Sequence, residues 1–228
     1  LHKEYRRQRQ MCIRDRSKTV TGGLKTAAFR MPKNETTLNL ITALGNPIVG
    51  PSANSSGKPS PTTAQHVYHD LEGRIAGILD DGPTDVGVES TIIDMSTEIP
   101  TILRPGAVTA EEIEKVIGKE VYSDKHKVKE NEIPKAPGMK YKHYAPSAQV
   151  LIVNKDNWNS ALQWANENKN QVGILADDEV LSKALENKTY SLGENVESAA
   201  KNLFAGLRYF DDDNQICLLY TSDAPTIL

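Results

Sequence analysis

Small polar side chains on tightly turning backbone are the first candidates for chemistry in this sequence. Ser52 and Asn54 lie in a Pro-Ser-Ala-Asn turn, which offers a hydroxyl, an amide and backbone N–H groups. Such groups suit a phosphate or a sugar. A turn that caps itself has the same composition, and on composition alone this second interpretation is favoured by about three to one.

Two arginines could extend such a site. Arg30 ends a predicted strand and Arg104 precedes a Pro-Gly pair, so each side chain could grip a carboxylate or a phosphate with two hydrogen bonds. Taken singly, each is more often part of a surface ion pair. The segment Glu89-Ser90-Thr91 is similarly either a ligand loop or, more often, the start of a strand. Together these residues indicate oxygen-ligand and phosphate chemistry.

Several common catalytic motifs are absent from the sequence. It contains no Walker-type phosphate loop, no dinucleotide fingerprint and no nucleophile elbow. His66 and His69 are three residues apart on one predicted helix with no third ligand nearby, which favours a solvated helix face over a metal site. We therefore predict neither a covalent nucleophile nor protein ligands to a metal.

The composition is typical of a soluble globular protein: 38% of the 228 residues are hydrophobic and 25% are charged. No apolar run approaches the roughly 20 residues that span a bilayer, so we expect a cytoplasmic protein without membrane contact. The net charge is −3, but residues 17–216 sum to −6. An acidic body argues against broad nucleic-acid binding through counterion release.

The two ends of the chain look foreign to the rest. The peptides Met-Cys-Ile-Arg-Asp at residues 11–15 and Cys-Leu-Leu-Tyr-Thr at residues 217–221 can be encoded by the two strands of one DNA element. The stretch 6–16 resembles a translated adapter from sequencing-library construction. We therefore expect residues 1–16 and 217–228 to be non-native. Because they hold both cysteines, disulfide and cysteine–metal sites lose support.

Periodicity and capping signals predict the elements that position the candidate residues. In the first half we predict helices over residues 36–44, over residues 64–71, and from a capping box at Thr109 and Glu112 to Gly118. Short strands are predicted over residues 26–31, 47–49, 76–79, 90–94 and 101–103.

After a charged linker, strands alternate with helices. Strands are predicted over residues 149–153 and 172–175, and helices over residues 158–167, 179–185 and 196–210. Strands separated by helices of this length imply βαβ crossovers and a mainly parallel sheet, which we expect to lose its last strand at Cys217. The fold class is therefore α/β.

Five segments in fixed order carry a specific family resemblance. They read RMP, PSANSSGKPSPT, DDGPTDVGVESTIID, ILRPGAVT and APGMKYKHYAP. This pattern resembles the two-domain form of the threonylcarbamoyl-AMP synthase family. The resemblance implies a YrdC-type twisted open α/β sheet, incomplete here, over residues 17–120, a linker that acts as a lid over residues 121–147, and a small Rossmann-like domain, also incomplete, over residues 148–216.

The resemblance also implies an activity. Enzymes of this family are nucleotidyltransferases that convert L-threonine, bicarbonate and ATP to threonylcarbamoyl-AMP and pyrophosphate, with Mg²⁺ accompanying ATP. The product feeds the threonylcarbamoyladenosine modification of tRNA. Partners would be tRNA, by double-stranded RNA binding, or a downstream threonylcarbamoyl transferase complex.

Site residues carry over only where this sequence matches the family's motifs. The positions that match ATP contacts are Thr26, Ser52, Asn54, Ser60, Arg104 and Tyr144, with His143 a weaker candidate beside the last. The positions that match threonine contacts are Arg30, Gly50 and Ser90. The family's Lys-x-Arg motif belongs upstream of Thr26 and has no counterpart here. We therefore expect the chain as it stands to be inactive and poorly folded.

Two other functions stay open. One is a non-enzymatic RNA-binding module of the same fold, which the charge of −6 over residues 17–216 and the lack of basic stripes with aromatic residues disfavour. The other is the carbamoyl-transfer module of hydrogenase maturation, which makes an adenylated carbamate from carbamoyl phosphate. The linker motif and the trailing βαβ domain favour the synthase over this second alternative.

Overall fold

The computed structural model describes residues 18–123, 146–184 and 186–222. The chain divides into two compact units, residues 1–50 and residues 51–228. Within the described ranges, no helix combines the length and the apolar character that crossing a bilayer requires. The predicted α/β fold class is confirmed by helices and strands in the second unit.

The described part of the first unit, residues 18–50, contains two helices, α1 (Lys18–Thr21) and α2 (Glu35–Leu44). Helix α2 begins where the Asn34 side chain accepts a hydrogen bond from the Thr37 N–H at 2.8 Å. It ends at Gly45, whose φ of 70° is the left-handed conformation that glycine adopts without strain. The predicted helix over residues 36–44 is thus confirmed by its own local signals.

The strands predicted over residues 26–31 and 47–49 do not form. Phe29 is 65% exposed and Met31 is 85% exposed, so most of the surface of these two apolar residues faces solvent. A strand is stable only beside a hydrogen-bonding neighbour, and no described segment of this unit runs beside these residues as a strand. The sequence pattern alone therefore did not suffice to form them.

In the second unit, residues 51–123 combine two helices with a small sheet. The elements are α3 (Ala64–Leu71), β1 (Ile92–Asp94), β2 (Thr101–Arg104), α4 (Ala110–Ile117) and β3 (Tyr122–Ser123). Strands β1 and β2 are antiparallel, and β3 runs parallel to β2. The Thr63 side chain caps α3, and Thr109 with Glu112 forms the predicted capping box of α4. The strand predicted over residues 76–79 is not present.

Residues 146–222 form a four-stranded parallel sheet with the strand order β4-β7-β5-β6. Its elements are β4 (Gln149–Val153), α5 (Trp158–Glu167), β5 (Val172–Ala176), α6 (Asp178–Leu181), β6 (Lys188–Ser191), α7 (Val196–Asp211) and β7 (Leu218–Ser222). A short 3-10 turn, Lys155–Asn157, precedes α5.

Helices cover both faces of this sheet. Side chains alternate along β5, so successive residues contact the helices on opposite faces. Val172 and Ile174 pack with the buried residues of α5. Leu175 points the other way and packs with Phe204 and Phe210 of α7. The predicted βαβ crossovers and parallel sheet are therefore confirmed.

Three details of this domain differ from the prediction. The helix predicted over residues 179–185 is shorter, because α6 ends at Leu181. Strand β6 was not predicted, since its sequence KTYS is polar and only half-buried. The expected loss of the last strand is wrong: β7 lies between β4 and β5, and its Leu219 is fully buried. An alternating buried pattern lets this segment fill the central position of the sheet.

Candidate functional site

Three of the predicted ligand-binding residues meet in the second unit. The Arg104 guanidinium donates to the Ser90 backbone oxygen from Nε at 3.0 Å and from Nη2 at 2.9 Å. Its Nη2 also lies 3.2 Å from the Ser90 hydroxyl and 3.4 Å from Glu89 Oε2. The Ser60 hydroxyl donates to the other oxygen of the Glu89 carboxylate. We call Ser60, Glu89, Ser90 and Arg104 the arginine cluster.

Local backbone geometry brings the arginine cluster together. Strand β2 ends at Arg104, which pairs with Ile92 at the start of β1, so the guanidinium comes beside the residues that precede β1. Gly106 then turns the chain back onto that segment. A Cβ on Gly106 would lie 2.4 Å from both the Glu89 oxygen and the Thr91 nitrogen. Only glycine permits this approach, which explains the Arg-Pro-Gly motif.

The charged members of the arginine cluster are largely shielded from water. The side chain of Arg104 is 14% exposed and that of Glu89 is 20% exposed. Partial burial strengthens electrostatic interactions. The Arg104 guanidinium already points toward oxygen acceptors. A phosphate that binds it must therefore compete with the Glu89 carboxylate.

The Asn54 side chain forms hydrogen bonds within its own loop. Its Nδ2 donates to the backbone oxygens of Ser55 at 2.9 Å and Lys58 at 3.1 Å, and two carbonyl acceptors fix the orientation of the amide. Its Oδ1 is buried and has no hydrogen-bond partner among the described residues. The self-capping interpretation of this turn therefore holds for the amide nitrogen, whereas the amide oxygen lacks a donor among the described residues. Ser52 is exposed at the start of the same loop.

The other predicted residues belong to the first unit or lie outside the described residues. Thr26, Arg30 and Gly50 belong to the first unit, where each is exposed and outside any helix or strand. Tyr144 and His143 lie outside the described residues, as does most of the linker predicted over residues 121–147.

A buried ion pair beneath the loop was not predicted. The guanidinium of Arg208, on α7, donates to both carboxylate oxygens of Asp70, on α3, at 3.2 and 2.8 Å. The two side chains are only 6% and 1% exposed. Asp70 also accepts from the Ser55 N–H at 3.0 Å. No short motif could have revealed this pair, because 138 positions separate the two residues.

The surroundings of Asp70 keep it charged. Burial alone would raise the pKa of this carboxyl, but hydrogen bonds from Arg208, from the Ser55 N–H and from His69 outweigh burial and hold the pKa well below its usual range. The pair contributes stability that is present above the unfolded-state pKa of about 3.9 and is lost as the pH falls below it.

The two histidines of α3 differ. His69 is exposed, as predicted, but His66 is half-buried and its Nδ1 accepts from the Thr62 N–H at 3.2 Å. Burial, and then the nearby Arg208 charge, lower the pKa of His66. Over the ranges that the structure describes, no three His, Cys, Asp or Glu side chains are grouped to hold a metal ion.

Two family models match the chain, and between them they cover most of its length. The Sua5/YciO/YrdC model, described as "Telomere recombination", matches residues 9–106. The model described as "Threonylcarbamoyl-AMP synthase, C-terminal domain" matches residues 108–226.

Curated relatives and a solved structure agree with these matches. The chain is 45% identical over 201 residues to threonylcarbamoyl-AMP synthase of Bacillus subtilis, covering 86% of the chain and 58% of the relative. It is 44% identical over 200 residues to the enzyme of the same name from Pyrococcus abyssi, covering 85% and 58%. The crystal structure of P. abyssi Sua5 complexed with L-threonine has a TM-score of 0.79 at 39% identity, covering 90% of this chain and 61% of that one. The chain thus spans less than two thirds of the length of these relatives.

Proposed function

The chain belongs to the threonylcarbamoyl-AMP synthase family, and we propose that it is part of an enzyme that makes threonylcarbamoyl-AMP and pyrophosphate from L-threonine, bicarbonate and ATP. The observation that carries this proposal is the arginine cluster. In this cluster Arg104, Ser60 and Ser90, three positions that match the family's ligand contacts, lie within hydrogen-bonding distance of one another or of one shared carboxylate. The P. abyssi relative that binds L-threonine has a similar fold.

The proposed reaction needs no covalent enzyme intermediate. The threonine amine adds to CO₂ with loss of a proton, or to bicarbonate with loss of water, and gives a carbamate. An oxygen of this carbamate then attacks the α-phosphorus while the bond to pyrophosphate breaks. Positioning and electrostatic stabilisation then account for the catalysis. Arg104 would stabilise charge on the phosphates, and the Ser60 hydroxyl would donate to a phosphate oxygen instead of to Glu89.

The remaining site residues are assigned by the same proposal. Ser52 and the buried Asn54 oxygen would receive donors from the nucleotide at the start of the loop, and Thr26 and Tyr144 would complete the ATP contacts. Ser90 and the backbone of Gly50 would face threonine, and Arg30 would pair with its carboxylate. The linker over residues 121–147 would close over the labile product.

Mg²⁺ fits this site as a companion of ATP. The arginine cluster offers one carboxylate, Glu89, and the hydroxyl of Ser60, which are hard oxygen donors. A site with so few protein ligands suits a Mg²⁺ ion that keeps most of its coordination from phosphates and water. When bound, the metal offsets charge on the leaving pyrophosphate.

We further propose the cellular setting. The product would serve tRNA threonylcarbamoyladenosine modification in the cytoplasm, with tRNA or a downstream transferase complex as the partner. Residues 17–120 would form part of the catalytic domain and residues 148–216 the Rossmann-like domain. Residues 1–16 and 217–228 would be non-native, so that non-native residues would supply strand β7 of the sheet. These boundaries predict that reading the coding DNA across both ends will show complementary codons for residues 11–15 and 217–221.

The activity is tested in the full-length protein that contains this chain. We expect pyrophosphate release that requires both threonine and bicarbonate, and a loss of about 100-fold in kcat/KM for Arg104→Met, because a phosphate loses its cation. Arg74→Met, an exposed arginine in the same part of the chain, is the matched control and should leave the rate unchanged.

Two outcomes would overturn the proposal. Pyrophosphate release that needs carbamoyl phosphate and ignores threonine would assign the protein to carbamoyl transfer. Tight tRNA binding on filters that weakens steeply with salt, without threonine-dependent ATP turnover, would make it an RNA-binding module.

A further inference from the structure

Helix α7 of the C-terminal domain reaches the loop that carries Ser60. The Arg208 guanidinium donates to the Pro59 oxygen from Nε at 3.0 Å and from Nη2 at 2.6 Å, and its Nε lies 3.4 Å from the Ser60 oxygen. The same planar group binds both oxygens of Asp70. Pro59 is fully buried, so the carbonyls at this point of the loop depend on Arg208 for a donor in place of water.

We propose that Arg208 is a positioning residue of the nucleotide site, through which the C-terminal domain sets the place of the Ser60 hydroxyl. This inference rests on the proposed function. Arg208 contacts the backbone oxygens of Pro59 and Ser60, which lie on either side of the Ser60 Cα. The Ser60 side chain in turn contacts Glu89 of the arginine cluster. Arg208 is thus one residue removed from the proposed phosphate contacts.

The Asp70 carboxylate connects Arg208 to an earlier part of the same loop, at Ser55. Its Oδ2 accepts from Arg208 and from the Ser55 N–H at 3.0 Å. Ser55 directly follows Asn54, whose amide bonds the Ser55 and Lys58 oxygens. One ion pair therefore fixes the loop near Asn54 and again at Ser60, which are two of the proposed ATP contacts in this loop.

The segment that carries Glu89 of the arginine cluster also contacts helix α7. The Gly87 N–H donates to the Ala200 oxygen of α7 at 3.0 Å, and a Cβ on Gly87 would lie 1.9 Å from the Lys201 oxygen. Glu89 follows two residues later. Ala200 and Arg208 are separated by about 12 Å along the helix axis. Helix α7 therefore holds both segments that meet at the Ser60–Glu89 hydrogen bond.

A second charged side chain one turn further along α7 contacts the loop. Asp211 lies 3.6 Å from the Lys58 ammonium and accepts from the Ser147 N–H at 2.7 Å. Asp211 thus connects the loop to the beginning of the C-terminal domain. The contacts of α7 with this loop are consequently polar and directional, as positioning requires, rather than only apolar.

The test separates positioning from stability. Replacing a buried ion pair with apolar residues of similar size is often neutral for folding, whereas removing one partner is strongly destabilising. The double variant Asp70→Leu/Arg208→Met leaves no buried charge unpaired, so it should fold and lose less stability than either single variant, although the Pro59 oxygen loses its donor. It cannot hold the Pro59 and Ser60 oxygens or the Ser55 N–H, because it retains none of the groups that bind them.

We expect this double variant, in the full-length protein, to raise the KM for ATP by roughly 10- to 100-fold, because a displacement of about 1 Å has effects of that size. The KM for threonine should change much less. Arg208→Lys is a second variant that keeps the charge but cannot bind Asp70 and Pro59 with one planar fork, and it should show the same selective change. Lys188→Met, which breaks the Lys188–Asp213 ion pair of the same domain, is the control and should not move the KM for ATP.

The outcomes distinguish this inference from the proposed function. A wild-type protein without threonine-dependent pyrophosphate release overturns the proposed function and, with it, this inference. An active wild type whose folded double variant keeps its KM for ATP overturns the positioning role alone. Equal increases in the KM for ATP and for threonine would also overturn it, because Arg208 contacts the loop that carries Ser60, a proposed ATP contact.

Discussion

Strand β5 and the segment at residues 76–79 have similar sequences but different structures. Both are short apolar runs that predict strands, VGILA and AGIL. Every residue of β5 is buried between two neighbouring strands and two helices. In the second segment Ile78 is 37% exposed and Leu79 is 63% exposed, and no strand forms.

The difference lies in the neighbours rather than in the residues. Strand β5 receives hydrogen bonds from β6 and β7, and helices α5 and α7 cover its two faces. The helices of residues 51–123, by contrast, form as predicted because their caps are local, with Thr63 and Thr109 each accepting from an N–H three residues on. A helix needs mainly its own residues, whereas a strand needs a partner.

The largest effect should come from the core of the β4–β7 sheet. Phe210 is fully buried against Gly173, and Phe210→Ala should destabilise the chain by about 3–5 kcal/mol through lost burial and a cavity. The matched change Leu79→Ala should cost within about 0.5 kcal/mol, because its side chain is mostly exposed.

Urea unfolding followed by tryptophan fluorescence, together with calorimetry, measures both changes. The two tryptophans, Trp158 and Trp164, lie on α5 and report on the C-terminal domain, whereas calorimetry reports on the whole chain. Similar losses for the two variants would mean that residues 76–79 are packed as well as β5 and would refute the comparison.

Two glycines offer a second, smaller contrast. A Cβ on Gly173 would lie 2.5 Å from the Phe210 ring, so Gly173→Ala should destabilise the chain by about 1–3 kcal/mol through overpacking. A Cβ on Gly77 would meet open space, with no neighbouring side chain or backbone within 4 Å, and Gly77→Ala should change stability by less than about 0.5 kcal/mol. The same unfolding measurements apply. A large loss for Gly77→Ala would show that this segment has a packed neighbour.

The same distinction explains which elements the sequence could predict. The bounds of α2, α3, α4, α5 and α7 agree with the prediction to within one residue, because apolar spacing is a local signal and the caps Thr63 and Thr109 mark the starts of α3 and α4. Strands β4 and β5 were found as apolar runs. Strand β6 was missed since it is polar, and the position of β7 at the centre of the sheet depends on β4 and β5, which lie far away in the sequence.

The candidate site divides in a similar way. Ser60, Ser90 and Arg104 were predicted as ligand contacts from continuous motifs that match a family, and the structure brings them close together. Glu89 was recognised only as part of a ligand loop, and its contact with Ser60 bridges 29 positions. The contacts between Arg208 and the loop join residues that are 148 to 149 positions apart, so no local sequence pattern marks them. Only the packed structure could reveal it.

The smallest effect tests whether local signals act alike in both regions. Helices α4 and α7 each begin with a capping box, at Thr109 with Glu112 and at Asn195 with Ser198. Thr109→Ala and Asn195→Ala should each weaken the first turn by about 1 kcal/mol, which is roughly a fivefold loss of hydrogen-exchange protection. Ser160→Ala, an exposed change within α5, is the control and should alter neither helix.

The extent of that loss should differ between the two helices, and amide-resolved hydrogen exchange measures it. Helix α4 has no buried residue, so the loss should spread over its whole length. Helix α7 buries six residues, including Phe204 and Phe210, which should confine the loss to its first turn. If α7 also loses protection throughout, its packing does not stabilise it beyond its cap. The contrast between the two regions would then hold for strands alone.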